Sequence, residues 1–485
     1  MPVQPILSAD HAARNMAELE PKYSPQEAVT EANRCLFCFD APCIMACPTG
    51  IDIPAFIKKI TSGNVTGSAR TILESNVLGA SCARVCPTEV LCEGACVMLD
   101  RDEQPIKIGR LQRYATDHVF ENNIRVLHAP EKKSGKRVAL IGGGPASLAC
   151  AAELAQLGHQ SVIFEKKPLA GGLNTYGIAY YKLTPEVSLK EVELVRELGV
   201  DMRTGVEIGR DMSGEDLLRE YDAVFIGVGL GHTYRLDIPG EDLPEVVEAL
   251  TFIEELHTKP LHDVAVGKRV AVIGCGNTAI DAVTQAKRLG ADEAVIVYRR
   301  GEQDMPAYPY EYELAKNDGA EFLFHTLPVE VVSENGHVTG LKLVRTAMGD
   351  DGKMTTVPGS EYVRPFDMVI KALGQEKMAT MLHQIFPELT LNRNGTIQRD
   401  KQTGATSIPH VYAGGDAANG GAEVVNAVGE GKKAARGMHA LLTGQTVDGP
   451  VQWTRVGVQG RPVGSGLDHP VRVPELEAAY AAGGQ

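Results

Sequence analysis

Apolar residues at Ile53, Phe56, Ile57 and Ile60 fall at i, i+3, i+4 and i+7, so the spacing predicts a helix with one buried face. Helical patterning of this kind, together with most of the cysteines, occupies residues 1–125. A charged linker, Glu131-Lys132-Lys133-Ser134-Gly135-Lys136, then precedes a change of pattern. From Arg137 onward short β-branched runs alternate with Ala-rich segments, which predicts an α/β fold. Val138-Ala139-Leu140-Ile141 runs into a glycine turn, and Val270-Ala271-Val272-Ile273 does so again. Each is followed downstream by another apolar strand ending in Gly or Ala, Val224-Phe225-Ile226-Gly227 and Val369-Ile370-Lys371-Ala372.

This duplication predicts two Rossmann-like dinucleotide-binding domains, the second inserted into the first, behind an all-α N-terminal domain. The expected boundaries are 1–125 for the helical domain, 126–262 with 380–450 for the first nucleotide domain, and 263–379 for the inserted one. The first domain resumes near Thr380 and takes in the strand Val411-Tyr412-Ala413. Residues 451–485 are rich in Gly and Pro without periodicity. They read either as a disordered end or as an arm that orders on a partner, with Trp453 a candidate anchor.

Composition narrows the classes. At roughly 150 residues per domain, a chain of 485 residues accommodates about three domains. Hydrophobic residues make up 44%, which excludes global disorder. Lys and Arg number 48 against 62 Asp and Glu, a net charge of −14 that disfavours sequence-independent nucleic-acid binding. The most apolar stretch, Val138 to Leu157, contains Gly142, Gly143, Gly144, Pro145 and Glu153, so it predicts strand, turn and helix and no membrane span. Residues 1–10 show no basic region followed by an apolar core, and a reducing, cytoplasmic compartment is expected.

Cysteine changes the picture most. Eight of the ten lie between Cys35 and Cys96. A disulfide scaffold would be odd in so large a chain, so metal ligation is expected. The groups are Cys35-x2-Cys38-x4-Cys43-x3-Cys47-Pro48 and Cys82-x3-Cys86-Pro87-x5-Cys92-x3-Cys96. Iron–sulfur clusters need soft thiolates, and in bacterial ferredoxins the Cys before Pro ligates the other cluster. By that logic Cys35, Cys38 and Cys43 hold one [4Fe–4S] cluster, while Cys47 and Cys86 belong to a second. Zinc is the alternative, but zinc ribbons show two CxxC pairs and only one occurs here. Spacing alone does not name the eighth ligand.

Gly142-Gly143-Gly144-Pro145-Ala146-Ser147 is a GxGxxS turn between a strand and a helix, suited to a pyrophosphate at the helix N-terminus. Glu165, about 20 residues on, can bind the hydroxyls of an adenosine ribose. Far downstream, Tyr412-Ala413-Gly414-Gly415-Asp416 ends a strand in Gly-Asp, where a carboxylate can meet a flavin's ribityl chain. Together these argue for FAD at the first site. The second fingerprint, Gly274-Cys275-Gly276-Asn277-Thr278-Ala279, is GxGxxA. The strand that should end in an acid ends in Tyr298-Arg299-Arg300, and two guanidiniums favour the 2′-phosphate of NADPH over NADH. Nicotinamide delivers a hydride and clusters accept single electrons; a flavin can do both, so NADPH to FAD to clusters is a coherent chain. A redox disulfide is the competing destination, but Cys150 and Cys275 are solitary and read as packing residues. No stretch remains for a substrate domain, so the terminal acceptor is expected on another protein.

With these motifs assembled, the chain resembles the family that contains the glutamate synthase small subunit and the N-terminal half of dihydropyrimidine dehydrogenase, from about Ala28 to about Leu442. The segments that carry it are Cys35-Leu36-Phe37-Cys38-Phe39-Asp40-Ala41-Pro42-Cys43, Cys86-Pro87-Thr88 and Ile106-Lys107-Ile108-Gly109-Arg110-Leu111-Gln112. The Asp-Ala-Pro-Cys and Ile-Gly-x-Leu-Gln stretches are similar to the dihydropyrimidine dehydrogenase branch. The resemblance implies an electron-input subunit of an NAD(P)-dependent dihydropyrimidine dehydrogenase. Its heteromeric partner, in an assembly such as a heterotetramer, would carry an FMN barrel and further clusters and interconvert uracil or thymine with their 5,6-dihydro forms. The alternatives are a glutamate synthase small subunit and, in another class, a non-catalytic iron–sulfur assembly or scaffold protein.

Carried over residue by residue, the resemblance implies Cys35, Cys38, Cys43 and Cys96 for one cluster and Cys47, Cys86, Cys92 and Gln112 for the other, leaving Cys82 a non-ligand. It implies a flavin site of Gly142, Gly144, Pro145, Ala146, Glu165, Lys166, Gly172, Leu173, Lys182, Gly415, Asp416, Val424 and Val425. The NADP site would be Gly274, Gly276, Asn277, Thr278, Arg299, Arg300 and Gly374. Two positions depart from the family. Ala179 and Lys182 stand where Pro and Arg are usual, Lys182 keeping a positive charge near the isoalloxazine without the planar fork. Pro306 stands where the NADPH-using relatives have a third basic residue.

Overall fold

The computed structural model describes residues 3–101, 103–349 and 353–447; the reading of 451–485, with Trp453, lies outside the described residues. The helix Ile53–Thr61 begins at Asp52, whose side chain accepts from Ala55 N, and buries Ile53, Phe56, Ile57 and Ile60. It packs with the helices Val65–Ser75 and Ile108–Glu121 around Phe56, Ile72 and Leu111, in an apolar core that continues into the first α/β unit at Leu140, Leu148 and Val428.

The first α/β unit is a parallel sheet of β1 (Arg137–Ile141), β2 (Gln160–Glu165), β3 (Asp201–Thr204), β4 (Ala223–Ile226) and β14 (Val411–Ala413), in the order β14-β4-β1-β2-β3. The four residues of β4 and four of the five in β1 are buried, which is why these strands read as unbroken apolar runs. The second parallel sheet orders as β5-β13-β6-β7-β8, from β5 (Val246–Glu248), β6 (Arg269–Ile273), β7 (Glu293–Val297), β8 (Glu321–Leu323) and β13 (Met368–Lys371). Between β8 and β13 the chain builds an antiparallel layer of β9 (Thr326–Glu334), β10 (His337–Met348), β11 (Met354–Thr356) and β12 (Tyr362–Arg364).

Two features move the expected boundaries. β5 lies upstream of residue 263 yet pairs with β13 in the second sheet, so that sheet draws on residues assigned to the first domain. Three residues are too short to show a period, and their partner lies more than a hundred residues downstream. The two linkers to the insert run side by side: Gly231 N donates to Glu376 O at 2.8 Å, Glu376 N to His232 O at 2.8 Å, and Tyr234 N to Gly374 O at 3.2 Å. The insert therefore begins near residue 235 and ends near 373. At the N-terminus, Ile6 and Met16 pack into the core of the inserted unit, and Val266 N donates to Gln4 O at 3.2 Å. Residues 3–16 thus form a strap on the inserted domain instead of part of the helical one.

Candidate functional site

The thiols border two separate cavities. Cys35, Cys38, Cys43 and Cys96 line the first, closed by Pro42, Ile53, Ile57 and Met98. Cys47, Cys82, Cys86, Cys92 and Gln112 line the second, with Val425 on its wall. Among the described residues no three His, Cys, Asp or Glu side chains close on one point as a single ion requires. Soft donors set round a cavity suit a cluster of several irons. Burial is the main cause that pushes the Cys43 thiol up to about 12 and raises Cys35, Cys38 and Cys92 as well. Iron binding must therefore displace protons from these sulfurs.

Local folding explains how the second cavity forms. Cys86 N donates to Cys82 O at 3.1 Å at the end of the helix Gly79–Val85, so both thiols share one face. A hydrogen bond with Cys82 is the main cause raising the Cys86 thiol, followed by burial. Gln112 is buried in the helix Ile108–Glu121, and its Nε2 donates to Gly79 O at 2.7 Å, which orients the amide. Glu93 accepts from Gly109 N at 3.0 Å and ties the loop of Cys92 to the first turn of that helix.

At the first nucleotide turn, Gly142 has φ +88° and a Cβ there would lie 2.6 Å from Gly227 O. Glu165 accepts from Gly143 N at 2.7 Å and Lys167 N at 2.7 Å, so it sits against the glycine turn. Gly172, with φ +57°, brings its backbone to the turn: a Cβ on it would lie 2.8 Å from Gly144 Cα. Pro145 and Ala146 open the helix Pro145–Gln156; Lys166 and Leu173 are exposed beside the turn. Asn174, next to Leu173, is buried with an unpartnered Oδ1, a cradle polar atom that suits a cofactor's donor. Asp416 follows β14 at the Gly415 turn; burial raises its carboxyl, and it accepts from Ala422 N at 3.2 Å.

Glu430 is a residue that sequence reasoning missed. It accepts from Gly415 N at 2.7 Å and pairs with Arg399 at 2.5 Å, so it holds the Gly415–Asp416 turn from a helix behind it. No local pattern marks such a contact. Gly142→Ala forces a side chain into a left-handed backbone and against a carbonyl, at about 1–2 kcal/mol for the backbone alone. Purified G142A is expected to carry far less flavin per chain, read from visible absorbance; full flavin content would show that the turn tolerates a methyl group.

At the second turn, Gly274 has φ +125° and a Cβ would lie 2.3 Å from Ala372 O. Gly276 caps the helix Asn277–Arg288, with Thr278 exposed in its first turn. Asn277 Oδ1 accepts from Tyr308 N at 3.1 Å. Arg299 and Arg300 are exposed just beyond β7, with no carboxylate partner among the described residues. Gly374, φ +88°, lies in the returning linker. Lys182, which the resemblance assigns to the flavin site, lies at the contact with the inserted domain. Its ammonium stands 2.6 Å from both Asp281 and Glu311 of the inserted domain, so its charge is engaged by carboxylates.

One helix, Val424–Thr443, joins the two chemistries. Val425 lines the second thiol cavity, a Cβ at Gly429 would lie 2.8 Å from Pro48 O beside Cys47, and one at Gly431 would lie 2.1 Å from Ala146 O on the first fingerprint helix. No helix among the described residues is long and apolar enough to cross a membrane.

Cysteine-lined cavities attached to a two-dinucleotide fold define a flavin- and iron–sulfur-dependent oxidoreductase. Comparison with known proteins agrees. Residues 12–124 match the family described as dihydropyrimidine dehydrogenase domain II, 4Fe-4S cluster, and residues 136–431 match pyridine nucleotide-disulphide oxidoreductase. The glutamate synthase [NADPH] small chain of Escherichia coli (strain K12) is 37% identical over 440 residues, covering 87% of this chain and 93% of that one. The NADP(+)-dependent formate dehydrogenase subunit beta of Moorella thermoacetica is 34% identical, over 85% of this chain and 61% of that protein. Mycobacterium tuberculosis FprA in complex with NADPH shares the fold, with a TM-score of 0.52 and 19% identity over 65% of this chain and 88% of that one. The chain belongs to the pyridine nucleotide-disulphide oxidoreductases, and within them to the iron–sulfur flavoprotein family of the glutamate synthase small chain. Its cofactors are those of that family: FAD, [4Fe–4S] iron–sulfur and NADPH.

Proposed function

We propose that this chain is the electron-input subunit of a heteromeric enzyme, oxidising NADPH and passing electrons through two [4Fe–4S] clusters to a partner. When bound, the flavin takes a hydride and releases single electrons, which the clusters carry onward. The observation that carries this reading is the helix Val424–Thr443, which touches the first fingerprint helix at Ala146 and the second thiol cavity through Val425. Cys47, Cys86, Cys92 and Gln112 would hold the cluster nearer the flavin domain, and Cys35, Cys38, Cys43 and Cys96 the cluster farther from it. Arg299 and Arg300 select the 2′-phosphate, and Glu165 and Asp416 hold the two ends of FAD.

Two partners fit such a module. Near full-length likeness to glutamate synthase small chains supports a glutamate-forming partner, and the comparisons favour that reading over the pyrimidine-reducing one expected from the motifs. Overall identity discriminates weakly, however, since a formate dehydrogenase subunit reaches 34% against 37% for the small chain. The pyrimidine reading keeps a specific support: the cluster domain matches a family described by dihydropyrimidine dehydrogenase, and it carries Asp40-Ala41-Pro42-Cys43 and Ile108-Gly109-Arg110-Leu111-Gln112. The chain should copurify from its host with one FMN- and iron–sulfur-containing subunit. NADPH oxidation by that complex is then measured with glutamine plus 2-oxoglutarate and, separately, with uracil. Turnover with the first pair alone selects the glutamate-forming partner and with uracil alone the pyrimidine-reducing one; an isolated chain without NADPH–dye activity refutes both.

A further inference from the structure

The segment Tyr180–Leu183, which follows the Gly172 turn of the first nucleotide domain, is tied to the inserted domain by several contacts centred on one lysine. Lys182 Nζ lies 2.6 Å from Asp281 Oδ1 and 2.6 Å from Glu311 Oε1, and the three side chains are only 10%, 11% and 6% exposed. Asp281 sits one turn beyond Asn277 in the helix that carries the second glycine fingerprint. Glu311 sits in the helix Pro309–Asn317, directly after Tyr308. Tyr308 N is held by Asn277 Oδ1, and its hydroxyl donates to Glu423 at 2.8 Å, just before the helix Val424–Thr443 of the flavin domain. Hydroxyls complete the cluster: Tyr181 donates to Asp281 at 3.1 Å and Tyr310 to Glu311 at 3.0 Å. Tyr180 N also donates to Gln285 Oε1 at 2.9 Å, one turn further along the fingerprint helix.

Two carboxylates against one ammonium leave a surplus negative charge in a buried place, and Glu311 Oε2 has no partner there. Such an arrangement is a poor source of net stability, because desolvation offsets the Coulomb attraction, and buried ion pairs are better attested as devices that fix one geometry. The geometry fixed here is that of Tyr180–Leu183, from the first nucleotide domain, against the second fingerprint helix. Hydride transfer is sensitive to that relation, since a misplacement of about 1 Å can lower a rate on the order of 100-fold.

Resting on the function proposed above, we infer that Asp281 and Glu311 are positioning residues for hydride transfer, acting through Lys182 to hold this segment against the nicotinamide domain. The test uses the full-length holoprotein and the near-isosteric variants Asp281→Asn and Glu311→Gln, each of which leaves Lys182 one carboxylate. Anaerobic rapid mixing with NADPH follows flavin bleaching over a range of NADPH concentrations. The limiting rate is expected to fall by about tenfold or more, with the apparent Kd for NADPH and the flavin content held within about twofold. Amide exchange should quicken across residues 180–183 and leave the thiol-bearing helices unchanged. Restoring the carboxylate as Asp281→Glu should recover part of the rate.

An unchanged limiting rate in both variants would overturn the inference. So would a loss of flavin, or a rise in Kd that matches the fall in rate, because either would put the pair in cofactor binding. The reading as an NADPH-oxidising subunit fails separately, if the wild-type flavin is not bleached by NADPH at all.

Discussion

Cys86→Ser should remove one whole cluster, about four irons per chain, while Cys82→Ser leaves the iron unchanged. The two thiols border the same cavity one helical turn apart, so proximity does not separate them. The distinction rests on Gln112. It is buried on the cavity wall with its amide oriented by Gly79 O, and on the assignment proposed here it would be the fourth donor beside Cys47, Cys86 and Cys92. Cys82 is then a surplus thiol that hydrogen-bonds with Cys86, and a serine hydroxyl can take over that bond. In Cys86→Ser the NADPH–dye rate should survive, because the dye can take electrons at the flavin; transfer to the natural partner should fall below detection. Iron and sulfide assays read the outcome, with electron paramagnetic resonance of the reduced protein. Loss of about four irons from Cys82→Ser would make Cys82 the ligand and sink Gln112 as a donor. Full iron in Cys86→Ser would remove the second cluster assignment.

How much of this was legible beforehand depends on the range of the interaction. The helix at Ile53, Phe56, Ile57 and Ile60 and the two glycine turns are local patterns, visible because side-chain period and backbone conformation are set within a few residues. The strand at Val246–Glu248 was not visible, since three residues carry no period and β13, which makes it a strand, is far away in the chain. The strap of residues 3–16 escaped for the same reason: nothing local tells that Ile6 and Met16 find their core in the inserted domain. Lys182 is the instructive case. The family resemblance points it to the flavin, and the fold adds the partners Asp281 and Glu311 from a domain about a hundred residues on. A lysine's long stem reaches whichever carboxylates the tertiary fold presents. Glu430, which fixes the Gly415 turn from another helix, belongs to the same class of contact.

Replacing Arg299 and Arg300 together by alanine should raise the KM for NADPH by about 30- to 150-fold and leave that for NADH within about twofold. The estimate follows from two charge-assisted contacts to one phosphate, worth about 1.5–3 kcal/mol each at full strength. Both side chains are exposed, so solvent reduces the sum to about 2–3 kcal/mol, and each 1.4 kcal/mol is tenfold. Neither arginine has a carboxylate partner among the described residues, although Arg300 hydrogen-bonds with Tyr298, so their loss leaves no buried charge behind. The single variants should share the effect unequally but not reach the double. Exposure also fixes a second observable. The wild-type preference for NADPH over NADH should shrink as ionic strength rises, because the Debye length falls from about 10 Å at 0.1 M to about 3 Å at 1 M. The double variant should show little of this salt dependence. A proportional loss with both nucleotides would mean that the arginines support the fold of the strand end or the shared pyrophosphate instead of the 2′-phosphate. A preference that survives in the double variant would shift nucleotide selection to another part of the inserted domain. Pro306, which holds the place of the third basic residue in the NADPH-using relatives, permits a gain-of-function arm. Pro306→Arg in the wild-type background should lower the KM for NADPH several-fold, with no change for NADH, if the phosphate lies between it and Arg299.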